Sequence, residues 1–96
     1  MEELRPFDIA TDGRTLYVVV ESPLLPPDPS VVTIPLLDSY PGVARLNPTI
    51  EFDGEIYMLA TRLIAGLRRS RLRRVGSVAG QSDRITHAID VLMGGF

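Results

Sequence analysis

A dense basic cluster occupies residues 68–74, where five of the seven side chains are arginine. Its members are Arg68, Arg69, Arg71, Arg73 and Arg74, with Leu72 as the only apolar residue among them. Because guanidinium groups form paired hydrogen bonds with carboxylates and phosphates, the cluster could bind an acidic partner or a nucleic acid. The alternative is a solvated strand and loop whose charges face water. No aromatic residue interleaves the cluster to stack a base, which weakens the nucleic-acid interpretation.

The only histidine, His87, lacks the neighbours that catalysis requires. A Ser-His-Asp triad needs a serine and a carboxylate in contact with the imidazole, whereas Asp83 and Asp90 offer at best an exposed charge pair on a helix. The acids Asp53 and Glu55 lie at a turn, which explains the aspartate. We therefore expect a surface histidine and a protein that is not an enzyme. Metal-independent RNA cleavage by an arginine and an acid remains open.

The composition predicts one soluble domain over residues 1–96. The net charge of −2 gives no general attraction to nucleic acid. With no cysteine and one histidine, neither a thiolate nor a multi-histidine metal site can form, and we expect no cofactor. No apolar run approaches the length of a membrane span, and residues 1–10 are acidic and then polar, unlike a secretory signal, so we expect a cytoplasmic protein without membrane contact.

The apolar pattern of residues 1–67 predicts four or five short antiparallel strands. They are a hairpin around Asp12-Gly13 that includes residues 16–21, a strand at residues 31–36, and a second hairpin of residues 49–52 and 55 to about 61. Asp53-Gly54 is the signature of a two-residue type I′ turn. Pro35 suggests a sheet edge or a strand end, and residues 63–67 could continue a strand or begin a helical turn.

Residues 22–30 form a loop with four prolines, which cannot donate to a sheet ladder. Two adjacent leucines, Leu24 and Leu25, lie in this loop. They are either packed onto the core or displayed in a stiff conformation for a partner.

Residues 82–93 are predicted to form an amphipathic helix. Across the stretch 77–96 the apolar residues have helical spacing: Val78, Ile85, Ala88, Ile89, Leu92 and Phe96. Ser82 is a plausible N-cap, and Gly94 and Gly95 can end the helix. The expected fold class is mainly β with one C-terminal helix, as a small curved antiparallel sheet or open barrel.

Three segments together resemble the CcdB family of plasmid and chromosomal toxins. They are residues 14–37 (RTLYVVVESPLLPPDPSVVTIPLL), 47–59 (NPTIEFDGEIYML) and 82–96 (SDRITHAIDVLMGGF). The resemblance implies an SH3-like barrel of the CcdB/MazF type, which forms a homodimer and binds the A subunit of DNA gyrase. Such a toxin traps the cleaved-DNA complex, acts in plasmid maintenance, and is neutralised by a small CcdA-like antitoxin.

By this resemblance the gyrase-binding residues are Leu24, Leu25, Asp90, Met93, Gly94, Gly95 and Phe96. We expect an acidic antitoxin to bind Arg68, Arg69, Arg71 and Arg73, because a disordered acidic tail gains charge-assisted hydrogen bonds from guanidinium groups. Two alternatives remain. One is a MazF-like mRNA endoribonuclease, and the other is a silenced member that binds antitoxin without poisoning gyrase.

Overall fold

The computed structural model describes residues 3–94 and contains a curled antiparallel sheet of seven strands followed by a helix. The elements are β1 (Asp8–Thr11), β2 (Leu16–Val19), β3 (Ser30–Leu37), β4 (Thr49–Phe52), β5 (Glu55–Leu59), β6 (Ala65–Arg68), β7 (Arg73–Ser77) and α1 (Ser82–Gly94). Short 3₁₀ turns lie at Thr61–Leu63, Arg69–Arg71 and Ala79–Gln81. The predicted fold class is confirmed: a half-barrel with one C-terminal helix in the described residues.

The eight-residue strand β3 organises the sheet. One side of β3 pairs with β2, and its other side pairs first with β6 and then with β5. The full order is β4-β5-β3-β2-β1-β7, with β6 attached to β3 beside that path. Because two strands share one side of β3, the sheet divides there and can curl.

The expectation that Pro35 marks a sheet edge or a strand end is wrong, since Pro35 is buried within the central strand β3. Its nitrogen lies where β3 changes partner, between the Thr33 pair with β6 and the Leu36 pair with β5. A missing N–H donor costs little at such a gap. The Pro35 carbonyl still accepts the Ala60 N–H at 3.0 Å.

Both predicted hairpins form. Asp53 and Gly54 have φ values of 53° and 82°, the left-handed pair that a type I′ turn requires. In the first hairpin, the Asp12 carboxylate accepts the backbone N–H groups of Arg14 and Thr15, each at 2.9 Å. The hydrogen bonds from Thr15 and Arg14 hold the pKa of Asp12 below its ordinary value.

The predicted count of four or five strands is too low, because the structure has seven within residues 3–94. Residues 63–67, left open between a strand and a helical turn, begin in a 3₁₀ turn and continue into β6, and the end of the arginine cluster lies in a strand, β7. Most of their side chains are exposed, so neither strand carries a clear alternating apolar pattern. Backbone pairing creates them: β6 completes the side of β3, and β7 pairs with β1. The arginine cluster therefore spans the end of β6, a 3₁₀ turn and the start of β7.

Side chains are buried on both faces of the sheet. The main cluster includes Ile9, Val18, Ile34, Ile50 and Leu59, together with Val78, Ile85 and Ala88. The second cluster consists of Leu4, Ala10, Val19, Val31 and Leu72. The adjacent residues Ile9 and Ala10 belong to different clusters, as do Val18 and Val19, because successive strand residues point to opposite faces.

Helix α1 packs onto the main cluster through Ile85 and Ala88, which confirms that part of the predicted apolar side. The predicted N-cap role of Ser82 is wrong: with φ −57° and ψ −33° it is already helical and follows a 3₁₀ turn. The Ser77 hydroxyl accepts the Ala79 N–H at 3.2 Å, at the start of that 3₁₀ turn. Within residues 3–94, no helix has the length and apolar character needed to cross a membrane.

The 3₁₀ turn Ala79–Gln81 and the first turn of α1 together cover the free edge of β4. The Gln81 side-chain amide pairs with the Glu51 backbone, accepting its N–H at 2.9 Å and donating to its carbonyl at 2.7 Å. Arg84 donates to the Thr49 carbonyl at 3.0 Å. Polar groups that would otherwise invite another strand are thus satisfied within the chain.

The strands β4 and β7, which are the two ends of the sheet order, contact each other through Phe52 and Gly76. A Cβ atom added to Gly76 of β7 would lie 2.5 Å from Cε1 of Phe52 in β4. The absence of a side chain at Gly76 therefore makes room for the Phe52 ring and lets strands at opposite ends of the sheet order approach each other.

Candidate functional site

Residues 22–29, which we name the leucine loop, display their apolar side chains to solvent. Leu24 is 91% exposed and Leu25 is 55% exposed, so of the two alternatives the structure has the leucines displayed. A tight turn supports them: the Leu24 N–H donates to the Ser22 hydroxyl at 3.1 Å, and the Leu25 N–H donates to the Ser22 carbonyl at 3.3 Å. Four prolines further restrict the loop.

Arg69 ties both ends of the leucine loop to the body of the protein. Its Nη2 lies 2.8 Å from Glu21 Oε2, immediately before the loop, and its Nε donates to the Asp28 carbonyl at 2.8 Å. The Arg69 backbone N–H donates to the Pro29 carbonyl, also at 2.8 Å. The side chains of Arg69 and Glu21 are 17% and 13% exposed, so this ion pair is largely shielded from water.

A cavity of about 580 Å³ lies beside the leucine loop. Its walls include Leu4, Pro23 and Leu25, and the Arg69–Glu21 pair also lines it. Leu25, predicted to bind gyrase, and Arg69, predicted to bind antitoxin, therefore share one cavity. The sequence had placed them in separate sites.

Asp28 closes the far end of the loop. Its carboxylate accepts the Ser30 backbone N–H at 2.9 Å and the Ser30 hydroxyl at 2.8 Å. These two hydrogen bonds, and to a smaller extent the positive charge of Arg69, hold the pKa of Asp28 below its ordinary value.

The arginine cluster divides into exposed and engaged members. Arg68, Arg71 and Arg73 are exposed, whereas Arg69 holds the leucine loop. Arg74 lies 3.2 Å from Asp8, whose side chain is only 7% exposed. Three members of the cluster thus form a basic surface, while Arg69 and Arg74 pair with carboxylates of the same chain.

The predicted site residues in α1 lie at its exposed end. Met93 is 78% exposed, and Asp90 and Gly94 are also exposed. Gly95 and Phe96 lie outside the described residues. Within residues 3–94, no hydrogen bond or ion pair joins the leucine loop to Asp90, Met93 or Gly94.

His87 lines another cavity of about 650 Å³ with Arg45 and Arg84. No serine, aspartate or glutamate lines that cavity, and His87 is exposed, as expected. A Ser-His-Asp triad is therefore not assembled there. The wall also holds Asn47, whose buried Oδ1 has no hydrogen-bond partner among the described residues.

Within residues 3–94, four other large exposed apolar side chains were not predicted, namely Val43, Ile56, Leu63 and Val75, which are 63%, 61%, 48% and 39% exposed. The exposure of Ile56 could have been predicted from the alternation of side chains along a strand. In β5 the apolar residues are consecutive, so Ile56 must lie on the face opposite to Tyr57, and its partner Glu51 is exposed on that face.

The family model described as CcdB protein matches residues 8–95. The chain belongs to the CcdB family. This finding confirms the resemblance and makes the protein a toxin of the toxin–antitoxin class. No curated protein sequence matches the chain. In this CcdB-family chain, the match includes the whole leucine loop, the arginine cluster and all of α1.

Proposed function

We propose that this protein poisons DNA gyrase by binding the gyrase A subunit and holding the enzyme on cleaved DNA. The observation that carries the proposal is the display of Leu24 and Leu25 on a loop restrained at both ends. A leucine side chain gains roughly 1.5–3 kcal/mol when it is fully buried. Two adjacent exposed leucines on a restrained loop can supply such a gain to a partner at small entropic cost.

The end of α1 supplies the second part of the proposed gyrase surface. Met93 adds exposed apolar area, and Asp90 adds a charge beside it. We include Gly94, Gly95 and Phe96 in this surface by their place in the CcdB family pattern. Binding of a large enzyme through two separate apolar patches agrees with the small number of dominant contacts in typical interfaces.

We further propose that a CcdA-like antitoxin with an acidic segment binds the arginine cluster. Arg68, Arg71 and Arg73 are exposed and can pair with its carboxylates. Arg69 contributes through its Nη1 group, which makes no hydrogen bond within residues 3–94. The antitoxin pays its ordering entropy on binding, which the charge-assisted hydrogen bonds offset.

An isologous homodimer completes the proposed assembly. Exposed Ile56 and Leu63 leave apolar area that a second copy could cover. Light scattering at micromolar concentration should report about twice the 10.6 kDa mass of one chain. A stable mass of one chain would refute the dimer.

Induction of the protein in a sensitive bacterium tests the proposed activity in the cytoplasm. Gyrase poisoning predicts accumulating DNA breaks and a DNA-damage response. Cleavage of messenger RNA without DNA breaks would instead identify a MazF-like endoribonuclease. Continued growth with retained antitoxin binding would identify a silenced member.

Purified variants test the surface itself. Replacing both Leu24 and Leu25 with alanine should weaken binding to the purified gyrase A protein by roughly 2 kcal/mol or more, the cost typical of interface anchors. Val43→Ala is the matched control, because Val43 is also an exposed apolar residue but lies between β3 and β4, outside every proposed surface. Equal affinities of the leucine variant and the parent would contradict the proposed surface.

A further inference from the structure

The leucine loop is not held in place by apolar packing. Every residue from 22 to 29 is exposed. Cavities of about 580 Å³ and 340 Å³ border the loop, and Leu25 lines both. Burial therefore cannot fix the conformation in which Leu24 and Leu25 are presented, and polar contacts must do so.

Arg69 supplies all the hydrogen bonds that connect residues 22–29 to a distant part of the described chain. These are the bonds from its Nε to the Asp28 carbonyl and from its backbone N–H to the Pro29 carbonyl. The other bonds of the loop are local turns made by Ser22 and by the Asp28–Ser30 pair.

The Arg69 backbone and the Glu21 carboxylate are each held in place by further hydrogen bonds. The Arg69 carbonyl accepts the Leu72 N–H at 3.0 Å, and Leu72 is buried in the second apolar cluster. At the other end, Glu21 Oε1 accepts the Val32 N–H at 3.4 Å, while its Oε2 pairs with Arg69. The guanidinium thus bridges two anchored points.

We propose that Arg69 is the positioning residue of the target-binding loop, and not mainly a contact for the antitoxin. The planar guanidinium directs Nε to Asp28 and Nη2 to Glu21 at the same time, which the single ammonium of lysine reproduces poorly. Without this bridge the loop samples conformations that do not present the leucines. Its apparent affinity for a partner then falls in proportion to the fraction that remains competent.

The part of this inference that concerns target binding rests on the proposed gyrase function. In Arg69→Ala, a competent fraction of about one tenth would raise the Kd for the purified gyrase A protein about tenfold. Arg69→Lys should fall between the parent and Arg69→Ala. Arg62→Ala, an exposed arginine in the 3₁₀ turn Thr61–Leu63 and outside the arginine cluster, is the matched control and should bind like the parent.

A double-mutant cycle separates positioning from direct contact. If Arg69 acts through the loop, Arg69→Ala should cost clearly less than tenfold when Leu24 and Leu25 are already alanine, because the displayed side chains are gone. A full, additive tenfold loss in that background would overturn the proposal.

Hydrogen exchange tests the positioning without gyrase. In the full-length chain, Arg69→Ala should speed exchange at the amides of Ser22, Leu24, Leu25 and Asp28, while β1, β2 and β3 keep their protection. Unchanged exchange in the loop would overturn the inference, as would faster exchange throughout the sheet in both Arg69→Ala and Arg69→Lys. If the parent does not bind gyrase, the proposed function fails, and this measurement alone decides the role of Arg69.

Discussion

Gly76→Ala tests the contact between β4 and β7. The added Cβ would lie 2.5 Å from Phe52 Cε1 and 2.8 Å from Phe52 Cζ, well inside normal contact distance. The ring belongs to a partly buried side chain packed on the main core, so it cannot swing freely into water without losing apolar contacts. Overpacking of this kind costs about 1–3 kcal/mol, less the 0.5–1 kcal/mol by which alanine improves on glycine within a strand.

A net loss of about 1–2 kcal/mol should lower the thermal midpoint by roughly 4–16 °C in a domain of this size. Calorimetry or a circular dichroism melt measures the shift. Gly66→Ala is the matched control, because it also lies in a strand but its added Cβ would approach only Ser30 Cβ, at 3.9 Å. It should leave the midpoint unchanged or slightly raised.

Phe52→Leu provides the second half of the test, since leucine has no atoms where the ring carbons Cε1 and Cζ lie. By itself it should destabilise the protein, but in the Gly76→Ala background it should cost much less or restore stability. Additive losses, or a Gly76→Ala variant as stable as the parent, would refute the close approach of β4 and β7.

Three further predictions follow from other contacts. Gln81→Ala removes both hydrogen bonds to the Glu51 backbone, and it should cost about 1–3 kcal/mol in denaturant unfolding and increase self-association through the uncovered β4 edge. The pKa of Asp28 is lowered in the fold, so its carboxylate stabilises the native state at pH values above its unfolded pKa of about 3.8. This contribution is lost as the pH falls through the folded pKa. Hydrogen exchange in the leucine loop should therefore rise in acid, and Asp28→Asn should abolish that rise. Deleting residues 94–96 should abolish toxicity and leave the thermal midpoint within a few degrees, whereas a collapsed midpoint would make Phe96 a core residue.

The sequence by itself determined the local elements of this protein. A type I′ turn at Asp53-Gly54 follows from the need for positive φ at two adjacent residues, and the α1 region follows from apolar residues at helical spacing. The four prolines of residues 22–30 excluded a strand there, and the order of the segments indicated the CcdB family, which the family match confirms. Each of these signals lies within a short window of the chain.

The tertiary structure decided what depends on residues far apart in sequence. Arg69 is separated from Glu21 by 48 positions and from Asp28 by 41, so no local pattern could distinguish it from the exposed Arg68 and Arg71. The same holds for β7, which has few buried side chains and becomes a strand through its backbone pairing with β1. The local apolar period predicts which face of an element a side chain lies on. It does not predict which distant residue will contact a guanidinium group or pair with a strand edge, because those contacts form only in the folded chain.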